Sequence, residues 1–202
     1  MSFELAVWHE PTPITREEAE RVFQTLGSRE PGDAEPHPGV AAFAARLPGA
    51  EAVSPTHTLV TVEPERSDEV SGEVFALARE CGLVCYDPQR HLVHNLAPLG
   101  VYPGMQLRTG DGMIVVDPDL GLVADALTTM SPQNPFTALV VFGEHFIQTS
   151  PELSGYELEY KDSVKDVMLR THVSGIETVQ RAFAEYAVGE RAFLDRHRWQ
   201  RV

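Results

Sequence analysis

The chain has 202 residues, 43% of them hydrophobic and 23% charged, a balance that suits one compact domain or two small ones and excludes a disordered polymer. Thirty acids against sixteen lysines and arginines give a formal charge of −14, and a field of that sign repels phosphate backbones and anionic lipid. No nucleic-acid or membrane partner is therefore expected, and a basic protein is the partner that such charge attracts. MSFELAVWHEP lacks a basic stretch followed by an apolar core, so no export signal is read and the cytoplasm is the expected location. Cys81 and Cys85 are too few for a disulfide framework or zinc cluster and read as small buried apolar residues.

Taken in order, FELAVW (3–8) predicts a strand closed by Pro11 and Pro13. Thr15-Arg16-Glu17-Glu18 is a capping box opening a helix with Ala19, Val22, Phe23 and Leu26 on one face and Gly27 as its stop. Residues 28–39 are rich in proline, glycine and acid and read as an exposed loop. Pro38 opens a second helix with Val40, Phe43, Ala44 and Leu47 inward. TLVTV (58–62) predicts a strand. Ser67-Asp68-Glu69 caps a third helix that buries Val70, Val74, Leu77, Ala78 and Cys81, with Gly82 in the left-handed position after its end. LVCY (83–86) is a buried strand before the turn Asp87-Pro88-Gln89.

Residues 99–112, with their glycines and prolines, predict a linker between a half at 1–98 and a half at 113–202. MIVV (113–116) is a strand, and Asp117-Pro118 starts a helix bearing Leu120, Val123, Ala124 and Leu127. TALVVF (137–142) reads as a central strand. Phe146–Thr149 follows, then a wide loop at 150–154. In Gly155–Lys161, Tyr156, Leu158 and Tyr160 alternate with Glu157, Glu159 and Lys161. Asp166–His172 continues the meander. Such strands bury one face only, and the predicted cover is a helix opened by Ser174-Gly175-Ile176-Glu177, with Ile176, Val179, Ala182, Phe183 and Tyr186 as its stripe. The class expected is α+β: helices on small, mainly antiparallel sheets, in two similar-sized halves, the second a β-meander flanked by helices.

Hydrolase, phosphate-loop and dinucleotide signatures are absent. His91 and His94 lie three apart but on an extended segment without a third ligand, so no metal site is read. Asp117-Pro118-Asp119 is explained by capping. Glu157 and Glu159 could act as paired carboxylates, but a solvated strand face or acidic contact surface accounts for them, with Arg170 and His172 as cross-strand partners. The arginine-rich tail with Trp199 is expected to pair with the protein's own acids. No catalytic residue and no cofactor is assigned.

The runs GLVADALTTM, ALVVFGEHFIQTS, GYELEYKD and SGIETVQRAFAEYAVGERAFLDRHRWQRV resemble immunity proteins of bacterial polymorphic toxin systems. Val179, Ala182, Phe183, Tyr186 and Trp199 carry that resemblance, which spans about residues 113–199. The first half, through FELAVWHEP and GLVCYDPQ, resembles the leading half of uncharacterised proteins of high-GC bacteria. The resemblance implies a non-enzymatic protein that occupies the active site of a toxin domain. With a basic toxin as partner, Asp33, Glu35, Glu157 and Glu159 are the expected contact residues. The alternatives are a general protein-interaction or regulatory module and, behind it, a small-molecule enzyme; oligomeric state is left open.

Overall fold

A computed structural model of the chain describes residues 3–26 and 35–202. It is α+β, with two antiparallel sheets, and divides into compact units at Met1–Ala97 and Pro98–Val202. The parting falls at the start of the predicted linker.

In the first unit, β1 (Phe3–Trp8), β2 (Ala50–Ser54), β3 (His57–Val62), β4 (Val84–Asp87) and β5 (Leu92–His94) form a sheet in the order β2-β3-β1-β4-β5. Central β1 is buried on both faces from Leu5 to Trp8, which is why its sequence is an apolar run without alternation. On one face Ala6, Trp8, Val84, Tyr86 and Val93 pack against α1 (Arg16–Leu26) through Ala19, Val22, Phe23 and Leu26. The capping box is present in full: Glu18 donates its amide to Thr15 Oγ1 at 3.2 Å, and Thr15 donates its own to Glu18 Oε2 at 2.8 Å. Gly27, the predicted stop, lies outside the described residues.

The other face carries α3 (Ser67–Glu80), whose Phe75 ring stacks on His94 of β5 at 3.7 Å. Beside α3 lies α2 (Pro38–Arg46), capped by the His37 side chain and tied to α3 by Arg46–Glu80 at 2.6 Å. A Cβ at Gly39 would stand 2.4 Å from the Cys81 carbonyl oxygen, so only glycine fits that approach. Ser67 does not cap α3 as expected: a 3-10 turn, Pro64–Arg66, leads into the helix, and Ser67 Oγ donates back to the Pro64 carbonyl instead. The buried stripe of α3 is Ser71, Val74, Phe75 and Ala78, while Leu77 and Cys81 are half-buried. Gly82 does take the left-handed conformation, with φ 70°.

The second unit is a seven-stranded sheet. Its strands are β6 (Gln106–Thr109), β7 (Ile114–Val116), β8 (Thr137–Val141), β9 (His145–Glu152), β10 (Gly155–Asp162), β11 (Val167–Val173) and β12 (Gln200–Arg201). The order β12-β11-β10-β9-β8-β6-β7 places TALVV inside the sheet, as its apolar run predicts. Residues 99–112 do more than link, because β6 lies within them, between β7 and β8. The wide loop expected at 150–154 shrinks to Leu153-Ser154, since Gly155 pairs with Glu152.

Tyr156, Leu158 and Tyr160 share one face across the register with Ile147, Thr149, Leu139 and Leu107. Covering that unit are α4 (Leu120–Ala126) and α5 (Ile176–Ala187), which bring in Leu122, Val123, Val179, Ala182, Phe183 and Tyr186. The cover predicted from the α5 stripe is therefore correct, but both helix starts differ from expectation. Asp119 caps α4, accepting from the Leu122 amide at 3.0 Å. Asp117 instead sits at φ 51° and accepts from Gly104 N at 2.7 Å. At α5 the cap residue is Gly175, without a side-chain hydrogen bond. A short helix α6 (Phe193–Arg196) precedes β12 and lays Phe193 against Tyr160, Tyr186 and Trp199.

Candidate functional site

The sequence points first to the outward face of the meander. The hairpin register sets Glu159 opposite Arg170 and Glu157 opposite His172. Arg170 Nη2 reaches Glu159 Oε1 at 2.8 Å and its Nε lies 3.2 Å from Glu157 Oε2. Gln148 donates to the other Glu159 oxygen at 3.4 Å, and Glu159 is only 8% exposed. His172 pairs with Glu152 at 3.0 Å rather than with Glu157. Glu157, Arg170 and His172 then line a groove of about 490 Å³ together with Arg196 and Arg198. The face expected to be acidic is a mixed-charge groove whose carboxylates are already answered by guanidinium and imidazole.

Of the other two predicted contact residues, Glu35 is exposed, and Asp33 lies outside the described residues. The free negative charge stands elsewhere in the first unit. The 3-10 turn and the first two turns of α3 expose Glu63, Glu65, Asp68, Glu69 and Glu73. Among the described residues, Arg66 lies 3.6 Å from Glu69, and Arg90 lies 3.4 Å from Asp68. The signal is present in EPERSDEVSGE, of which the sequence reading uses only Ser67-Asp68-Glu69, as a helix cap.

The histidine pair is split. His91, at φ 52°, places Nδ1 3.0 Å from the Tyr86 hydroxyl. Burial, then Glu20 and Asp87, push that phenol up to about 12. His94 is 5% exposed, and neither ring nitrogen has a hydrogen-bond partner. Among the described residues no three His, Cys, Asp or Glu side chains gather as metal ligands. Both cysteines are free; Cys85 is buried, and burial, then Asp87, push its thiol well up. Among the same residues no helix is long and apolar enough to cross a membrane.

A second cavity, of about 430 Å³, opens in the second unit. Tyr102, Tyr160 and Tyr186 stand around Arg191, whose guanidinium carbon lies 4.6 Å from the Tyr186 ring centre and 5.9 Å from each of the others. Arg191 donates to the Glu190 carbonyl at 2.7 Å and to the Tyr102 hydroxyl at 3.1 Å. Burial opposes its charge, but the hydroxyls of Tyr160 and Tyr102 hold its pKa above the ordinary arginine value. Tyr186 is fully buried, and its hydroxyl has no hydrogen-bond partner. Burial keeps that phenol protonated against the pull of Arg191. The tail reads in the sequence as pairing with acids, and Arg196 does, at 2.5 Å from Glu185. Arg191 pairs with aromatics instead.

No family model, curated protein or solved structure matches the chain, so its function is read from its residues.

Proposed function

We propose that this is an acidic, non-enzymatic binding protein whose partner is a basic toxin domain, neutralised by direct contact in the manner of an immunity protein. The observation that carries this reading is the ridge of exposed carboxylates from Glu63 to Glu73, on a unit that has no lysine. Counted to Leu99, the first half holds sixteen acids and seven arginines, 7 − 16 = −9. Such a surface raises the encounter rate with a positive protein by about 10- to 1000-fold at low salt. Glu35 adds to the exposed charge of that unit. Glu157 offers a secondary contact, and Glu159, shielded by Arg170, serves to hold the groove in shape.

The test is capture from the native host with tagged protein, read by mass spectrometry. The expected catch is a basic toxin domain, and Glu63→Lys, Glu65→Lys, Glu69→Lys and Glu73→Lys together weaken it by about 100-fold at low salt. All four positions are exposed, so the variant folds. Undiminished capture by the variant, or no basic partner with the parent protein, refutes the reading.

A further inference from the structure

Two histidines of the first unit meet where α2 begins. His9, just past the end of β1, stacks on His37 with ring centres 4.2 Å apart and planes 18° from parallel. His37 also caps α2. Its Nδ1 accepts from the Gly39 amide at 3.2 Å, while its own amide donates to the Pro55 carbonyl at 3.1 Å. An accepting Nδ1 carries no proton, so the capping ring is neutral, with its hydrogen on Nε2. Among the described residues neither ring pairs with a carboxylate; the histidines that do are His91, His145 and His172.

This arrangement holds only while the rings are neutral. A proton on His37 Nδ1 replaces the acceptor by a second N–H facing the Gly39 amide, and the cap is lost. Charge on both rings adds repulsion at close range. Burial first and His9 next hold the His37 pKa below the ordinary histidine value of 6.5. The stability that the cap lends is therefore full above pH 6.5 and lost as the pH falls through the folded value. The elements around His37 bring other titratable groups, each held elsewhere or exposed. Glu10, after His9, accepts from the Trp8 indole at 2.7 Å. His57, after the β2–β3 turn, places Nδ1 2.8 Å from Thr56 Oγ1. At the end of α3, Glu80 is committed to Arg46 of α2, and Cys81 presents its carbonyl. Glu35 is exposed two residues before the cap.

The capped amide is also where α2 meets α3, because Gly39 is the residue that abuts the Cys81 carbonyl. Phe43, fully buried one turn further on, keeps the rest of α2 against β2 and β3. We infer that the His9–His37 stack is an acid-sensitive latch: neutral rings seat the first turn of α2 on the end of α3, and protonation releases that turn. The latch does not depend on the toxin reading.

Heteronuclear NMR of the full chain tests it from about pH 8 to about pH 4.5, a range that spans the ordinary histidine value. Imidazole Cε1 protons report each ring, and the Gly39 amide reports the cap. The expected midpoint for His37 lies below 6.5, with the Gly39 peak moving at that same midpoint. His9→Phe keeps a stacked ring without its charge and raises the His37 midpoint. His37→Asn supplies a favourable cap that does not titrate, so the variant folds and its Gly39 peak stays still. Below the midpoint, Gly39 exchanges its amide about fivefold faster in the parent than in His37→Asn, the loss of one cap. At about pH 8 the two agree within about twofold, as two intact caps should. Comparison at equal pH cancels any acid weakening that both proteins share. A Gly39 peak that does not follow His37, a His37 midpoint at or above 6.5, no rise in His9→Phe, or equal exchange in acid overturns the latch.

Discussion

His94→Leu removes a large part of the acid sensitivity that the first unit shows in the parent protein. The imidazole of His94 is pushed down to about 3 by burial first and by Arg90 and Arg79 next, from its ordinary 6.5. Between those values the unfolded chain binds a proton that the folded chain does not, so stability is full above pH 6.5 and drains away as the pH falls. The slope approaches about 1.4 kcal/mol per pH unit, or about 2–3 kcal/mol lost between pH 7 and pH 4.5. Asp87 works in the other direction. Burial raises its pKa against the pull of Arg90, so its contribution is lost as pH rises through its folded value. The difference between parent and variant isolates the histidine. Because both His94 nitrogens are buried without partners, leucine also removes an unsatisfied polar group, and a gain of about 1 kcal/mol at pH 7 is expected. Each unit holds one of the two tryptophans, so Trp8 fluorescence in a Trp199→Phe background reads the urea midpoint of the first unit. An acid limb as steep in the variant as in the parent contradicts the assignment.

Phe183→Ala has the larger effect on the second unit. The ring is fully buried on α5, among residues that cover the sheet, and truncation there removes its transfer free energy and leaves a cavity. The expected cost is about 3–5 kcal/mol, a large part of the 5–15 kcal/mol that holds a typical domain folded. Urea unfolding followed at Trp199 in a Trp8→Phe background measures it, with Val188→Ala, exposed just beyond the same helix, expected within about 0.5 kcal/mol of the parent. A loss below about 1 kcal/mol, well under the usual range for such truncations, means that α5 does not build this core.

What the sequence disclosed divides along physical lines. Elements whose residues carry their own reason are legible: the apolar run of β1, the reciprocal Thr15–Glu18 cap, the alternation of β10, and the Val179–Phe183–Tyr186 stripe. Elements defined by partners are not. Ala50–Ser54 is half-buried or exposed throughout, and only pairing with β3 makes it a strand. Gln106–Thr109, polar and flanked by glycine and proline, hides inside an apparent linker until β7 and β8 take it in. Caps were legible to within a residue or two, because Asp117 and Asp119 offer the same chemistry and tertiary hydrogen bonds choose between them.

The candidate sites follow the same rule. Cross-strand pairing of Glu159 with Arg170 is legible from strand alternation, but the shielding it brings, which leaves the meander less acidic than its sequence, depends on register. The acids of 63–73 are plain in the sequence, though how far they are offset depends on where Arg66 and Arg90 fall. The Arg191 cavity draws on positions 102, 160 and 186, too far apart in sequence for any local pattern to join them. Its local hint is a cation just past a helix end, where such residues complement the dipole.

The claim that the acidic ridge meets a toxin is tested most directly in living cells. The captured basic domain is expressed alone, with the parent protein, and with the variant carrying lysine at Glu63, Glu65, Glu69 and Glu73. The account predicts growth arrest by the domain, rescue by the parent, and failure of rescue by a variant that is folded and equally abundant. Rescue by the variant, or a captured domain that leaves growth unaffected, contradicts it.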